Sequence, residues 1–192
     1  RPAIGFEPGA AGGHRVLTDD GVKDVDALVI AAGAWSGELL KRFGKRFIFD
    51  AERGYHIMLK QPEPTLNRPV ALMDDSIFVS PMEHGLRMTT GVELAGLEAP
   101  ADYTRARRMV ERVTRAVKGA APERQSEWLG FRPSAPSSVP YVGSLKERPG
   151  VYYAFGGGHI GMTLGPAMGA IVADLVAGRD PGLDLGAYSV DR

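Results

Sequence analysis

Val151-Tyr-Tyr-Ala-Phe-Gly-Gly-Gly-His-Ile-Gly-Met-Thr-Leu-Gly-Pro-Ala-Met-Gly169 is the stretch on which the reading of the fold turns. It begins as a short aromatic and β-branched run, Val151 to Phe155, which reads as a buried strand. Three glycines follow, Gly156, Gly157 and Gly158. Beyond His159 the pattern turns helical, with Met162, Met168, Ile171, Val172 and Leu175 spaced for one apolar face. A strand therefore runs through a glycine turn into a helix N-terminus. Such a turn aims unpaired backbone N–H groups and the positive end of the helix dipole at one point. Without side chains in the way, a flat or anionic ligand can approach the backbone closely. The same glycines serve equally for a tight turn and a close helix–strand contact, and alone they are a weak signal.

Working outward, Arg132-Pro-Ser-Ala-Pro-Ser-Ser-Val-Pro140 holds three prolines and predicts a rigid, non-helical path. Gln125 to Phe131, with Trp128, reads as a strand. Pro100 to Gly119 reads as a helix with Val110, Val113 and Val117 on one side and an arginine-rich, solvated face on the other. From Phe47 to Glu93 the pattern is an antiparallel meander. There Tyr55, Ile57 and Leu59 alternate against His56, Met58 and Lys60, and Glu83-His84-Gly85 makes a turn. Asp26 to Gly33 is a continuous apolar run that suits a strand buried on both faces. Ser36 is a candidate N-cap for the helix that Gly44 stops. His14–Thr18 and Val22–Asp26 flank Asp19-Asp20-Gly21 as a hairpin. Residues 1–13 read as a loop, and 179–192 as a loosely packed tail.

Composition narrows the function classes. The 192 residues are 44% hydrophobic, as a globular core requires. Basic and acidic residues balance at 23 each, which argues against a nucleic-acid surface or a polybasic membrane patch. Apolar runs are expected to fall short of the roughly 20 residues of a bilayer-spanning helix. No signal peptide is legible. Cysteine is absent, which removes disulfides, thiolate metal sites and cysteine catalysis, and is compatible with the cytosol. His14, His56, His84 and His159 show no ligand-like pairing, so no metal site is expected. Neither a Ser-His-Asp arrangement nor a Walker loop is legible. The chain begins at Arg1 in Pro/Gly-rich sequence, which suggests a fragment or a processed product.

Three places could carry chemistry. Arg132 lies between a strand and Pro133, where a rigidly held guanidinium could grip a carboxylate bidentately or pair with a structural acid. In Arg53-Gly-Tyr-His56, Gly54 lets a ligand near the backbone or marks a bulge. Strand alternation allows only one of Tyr55 and His56 to face a site. His159, near a helix N-terminus, is a conceivable base or a locally bonded histidine.

Four blocks then occur in order: Ala27-Leu-Val-Ile-Ala-Ala-Gly-Ala-Trp-Ser36, Arg53-Gly-Tyr-His56, Trp128-Leu-Gly-Phe-Arg-Pro-Ser-Ala-Pro-Ser-Ser-Val-Pro-Tyr-Val-Gly143, and Phe155-Gly-Gly-Gly-His-Ile-Gly-Met-Thr-Leu-Gly-Pro166. Together they resemble the C-terminal part of the D-amino-acid oxidase family of FAD-dependent oxidoreductases, nearest the D-amino-acid dehydrogenase and glycine oxidase branch. The resemblance implies an α/β (α+β) fold, with an antiparallel or mixed substrate-binding sheet flanked by partial, Rossmann-like FAD-binding segments. The boundaries expected are 1–43 and 146–180 for FAD-binding segments, 44–145 for the substrate domain, and 181–192 for a tail.

The resemblance also implies roles. Gly33, Ala34, Trp35, Gly157, Gly158, His159, Ile160, Gly161, Met162 and Thr163 would lie against FAD. Arg132 would bind the substrate carboxylate, and Tyr55 or His56 would line the substrate pocket. No catalytic side chain is assigned, because hydride transfer from the substrate Cα to the flavin needs orientation rather than a strong protein base. The expected substrate is a D-amino acid, a cyclic imino acid or a glycine-like amine, and the electron acceptor is left open between oxygen and a quinone. The alternatives are a 2-hydroxy acid dehydrogenase of the same fold and a non-catalytic module. A cytoplasmic protein is expected, or one peripheral to the inner membrane.

Two departures bear on this. Ala135-Pro136-Ser137 stands where the family often has Thr-Pro-Asp. The N-terminal G-x-G-x-x-G fingerprint that the family carries at the start of the chain, where it holds the FAD pyrophosphate, is missing. The missing N-terminal half would therefore be a partner in the site, and the chain alone would be inactive.

Overall fold

The structure is a computed structural model and describes residues 2–60 and 66–192. It combines helices and sheets as expected, and the chain divides into two units. One is residues 1–50 with 132–192; the other is 51–131. These limits differ from the expected 43/44 and 145/146. Phe47 and Phe49 pack into the first unit's core, and residues 141–144 pair there.

The first unit holds two three-stranded sheets. In one, Ala3–Pro8 (β1), His14–Thr18 (β2) and Gly21–Val25 (β3) run antiparallel in that order. The Asp-Gly hairpin is present, with Gly21 at a φ of 129°. The loop expected over 1–13 is partly an edge strand instead. Its register slips between Ala3 and Gly5, a position where glycine suits a bulge.

In the other sheet, Leu28–Ile30 (β4) is parallel to Val151–Phe155 (β11), which is antiparallel to Tyr141–Ser144 (β10). Burial on both faces of β4 does not hold: Ile30 is in the core, but Val29 is 43% exposed. β4 lies at the edge of this three-stranded sheet. The core beneath is aromatic, with Phe47 and Tyr141 rings 5.0 Å apart and Phe49 edge-on to Phe155 at 5.1 Å.

Ser36–Lys41 (α1) follows a 3-10 turn at Gly33–Trp35, so Ser36 is inside the helix and Trp35 holds the cap position. Gly161–Val176 (α3) packs Met168 and Val172 against Val142, but Met162 is 96% exposed and off the expected apolar face. The tail is not loose. Val190 is 3% exposed, its N–H donates to the Tyr153 hydroxyl, and the Arg192 guanidinium lies 4.2 Å from the Tyr141 ring.

One further expectation is corrected. Gly158–Val176, 19 residues of mean hydropathy 1.3, is long and apolar enough to cross a membrane by length and composition. It packs on β10 and β11 through Met168 and Val172.

The second unit is built on a five-stranded sheet in the order β6-β7-β8-β5-β9. Its strands are Asp50–Leu59 (β5), Val70–Leu72 (β6), Ile77–Met82 (β7), Gly85–Leu94 (β8) and Arg124–Ser134 (β9). Thr104–Ala116 (α2) covers one face. Ile57, Met88 and Val79, opposite one another across three strands, are fully buried with Val110 and Val113 of the helix. Period two on the strands and period 3.6 on the helix meet in that layer. The arginine face of α2 is partly tied down: Arg107 grips Glu127 with two bonds of 2.8 and 2.6 Å, and Arg112 pairs with Asp75 at 2.5 Å.

Candidate functional site

β11 delivers the chain into the glycine turn. Gly156 and Gly158 have φ of 83° and 50°, conformations that glycine adopts at no steric cost. A short 3-10 turn, Gly158–Ile160, then leads into α3, whose first turn has no side-chain cap. The N–H groups of that turn are thus left for other acceptors.

A cleft of about 350 Å³ lies beside this turn. It is walled by Gly156 and Gly157, by Gly33 at the end of the β4 segment, by Pro133, and by the α3 residues Gly161, Gly165 and Gly169. Side chains added at Gly33, Gly161, Gly165 or Gly169 would meet nothing within 4 Å, so these glycines open onto free space. Gly157 differs, because a Cβ there would come within 2.6 Å of Gly161 Cα. Its missing side chain serves the close approach of turn to helix.

Of the residues expected at the cofactor, the structure brings Gly33, Gly157 and Gly161 to one cleft. Ala34 is buried, while Trp35, His159, Ile160, Met162 and Thr163 are exposed and Gly158 is half-buried; none of these lines the cleft. Gly165, Gly169 and Pro133 were missed. The helical spacing Gly161-Gly165-Gly169 was their legible signal.

Arg132 stands near the end of β9, where Pro133 fixes the backbone and lines the same cleft. Its Nη1 is buried and has no hydrogen-bond partner among the described residues. Ser134 was also missed. Its hydroxyl is likewise buried without a partner, 3.6 Å from where a side chain on Gly158 would begin. Two unsatisfied buried polar groups on the residues flanking Pro133 are expensive unless a ligand completes them. They fit the ring end of a flavin and a carboxylate.

The Arg53-Gly-Tyr-His block splits as alternation demands. Tyr55 turns into the helix-covered core, and burial, then the Glu93 carboxylate, push its hydroxyl up from the ordinary value. That hydroxyl donates to Glu93 Oε2 at 2.6 Å and accepts the Asp102 N–H at 3.2 Å. Arg53, 0% exposed, donates to Pro100 O at 2.9 Å and pairs with Glu93 at 3.2 Å. His56 takes the other face and stacks on Trp128 with centroids 5.0 Å apart. Burial and then the Arg87 charge hold its imidazole below the usual histidine range, so it is neutral at pH 7. Of the pair, only His56 lies on the face away from the helix-covered core.

Comparison with known proteins is consistent with this geometry. Residues 1–175 match the family model described as FAD dependent oxidoreductase. A D-amino-acid oxidase of Bradyrhizobium diazoefficiens is 33% identical over 181 residues, 92% of this chain and 43% of that protein. An uncharacterized oxidoreductase of Halorhodospira halophila is 30% identical over 190 residues, 96% of this chain and 86% of that one. The solved glycine oxidase from Geobacillus kaustophilus superposes with a TM-score of 0.86 at 26% identity, covering 100% of this chain and 52% of that one. The chain spans about half the length of these two oxidases.

Proposed function

The chain belongs to the FAD dependent oxidoreductase family, and from that premise we propose that it forms the substrate-facing half of an enzyme that oxidises the Cα–N bond of a D-amino acid or a cyclic imino acid. The observation that carries this reading is Arg132. It precedes Pro133, which fixes the backbone and lines the glycine-walled cleft, and its own Nη1 is buried without a partner among the described residues.

When bound, the flavin supplies the two-electron acceptor. The chain supplies position. Arg132 holds the substrate carboxylate, and a bidentate grip fixes two atoms of the substrate at once. Gly33 and Gly161 keep one wall free of side chains, and the Ser134 hydroxyl offers a hydrogen bond at the turn. Neutral His56 offers the substrate a flat, uncharged surface.

The rest of the cofactor site comes from polypeptide beyond these residues. Residues 161–173 of α3 carry no charge, yet only 11% of the 158–176 stretch is buried. A helix apolar all round is built to be covered. The half-length match to the oxidases agrees with that reading.

The test is a visible absorption spectrum with excess FAD, first on this chain and then on the chain joined to its upstream coding sequence. A flavin band that appears only in the longer polypeptide, and is bleached by a D-amino acid, is the expected result. Arg132→Ala in that protein should raise KM for carboxylate substrates by about 10- to 100-fold, the worth of a charge-assisted hydrogen bond. Unchanged kinetics would remove Arg132 from the role.

A further inference from the structure

We propose that Arg87 selects the substrate's side chain, and that this protein acts on amino acids whose side chain ends in a carboxylate; the inference rests on the amino-acid reading above. On β8, Leu86 and Met88 point into the helix-covered core and are fully buried. Alternation therefore sends Arg87 and Thr89 to the opposite face. The strand register sets out two rows on that face. Ala71, Phe78, Thr89 and His56 form one, and Ser80, Arg87 and Met58 form the next.

Arg87 is the only residue in these rows with a permanent charge. Its Nε is buried without a hydrogen-bond partner, and no ion pair joins it to an acid among the described residues. The second unit pairs its other half-buried or buried cation, Arg53, with a carboxylate. A buried guanidinium Nε–H without an acceptor is costly, and a ligand carboxylate would satisfy it.

The surroundings suit the stem of such a ligand. Phe78 and Trp128 are each 55% exposed and offer apolar area for methylene groups. Gly130 holds the indole in place, because a Cβ there would fall 2.0 Å from the Trp128 ring. A short methylene chain ending in a carboxylate matches an aromatic surface with one cation. A neutral side chain would leave Arg87 unsatisfied.

Trp128 provides a readout that needs neither flavin nor turnover. In the full polypeptide, pentanoate should shift tryptophan emission saturably through a component that Trp128→Phe removes, and pentanamide should bind at least about tenfold more weakly. Arg87→Met should erase that preference and Arg87→Lys should restore part of it. If Arg132→Met erases the preference while Arg87→Met keeps it, the proposal is overturned. Equal binding of acid and amide overturns it too. In the flavin-loaded enzyme, the ratio of kcat/KM for D-glutamate over D-glutamine should fall at least about tenfold on Arg87→Met. An unchanged ratio refutes the selection role. If no amino acid is oxidised but the emission preference follows Arg87, the amino-acid reading fails and the carboxylate site stands.

Discussion

Tyr55 and His56 are adjacent, and their fates diverge completely. The hydroxyl of Tyr55 ties Glu93 and the Asp102 amide into a network around buried Arg53. His56 faces away and stacks on Trp128. The sequence shows that at most one of the two can face a site, since a strand alternates, but it cannot say which. Burial decides, because α2 covers only one side of the sheet. Tyr55→Phe should therefore lower the unfolding free energy by about 1–2 kcal/mol, allowing for the partial exposure of Glu93. Urea denaturation of the two proteins measures this. If stability is unchanged and substrate KM rises instead, Tyr55 is a substrate ligand.

At the scale of elements, α3 is the informative helix. Its strand–glycine–helix beginning is plain in the sequence, because an aromatic, β-branched run, three glycines and a helical apolar pattern follow one another there. Its environment is not. The expected apolar face ran through Met162, yet only Met168 and Val172 are buried and Met162 projects outward. A helix with apolar residues on every side has no single face for periodicity to find. Ala167 is on the exposed part of α3. Ala167→Glu should change the stability of this chain by no more than about 0.5 kcal/mol, as surface substitutions do. The same change should abolish flavin retention when the upstream half is supplied. Retention at the level of the unaltered protein would mean that nothing covers this side of α3.

The whole molecule is two units with separate cores, one aromatic around Tyr141 and Phe155, the other aliphatic around Ile57, Met88 and Val113. Each unit contains one of the two tryptophans, Trp35 in the first and Trp128 in the second. Urea unfolding followed in Trp35→Phe and Trp128→Phe variants should give two different midpoints, as expected of cores that melt separately. Coincident midpoints, with equal slopes, would show one cooperative unit.

The sequence by itself determined the hairpin at Gly21, the strand–glycine–helix turn and the family. These rest on local rules: positive φ at glycine, period two in strands, and the fixed path of Arg132-Pro133. The tertiary structure alone decided that residues 3–8 form a strand, that Val190 joins a core, that Gly165 and Gly169 wall the cleft, and that Arg132, Ser134 and Arg87 keep buried polar atoms without partners. Burial and hydrogen-bond satisfaction depend on residues far apart in the chain, so no window of sequence contains them.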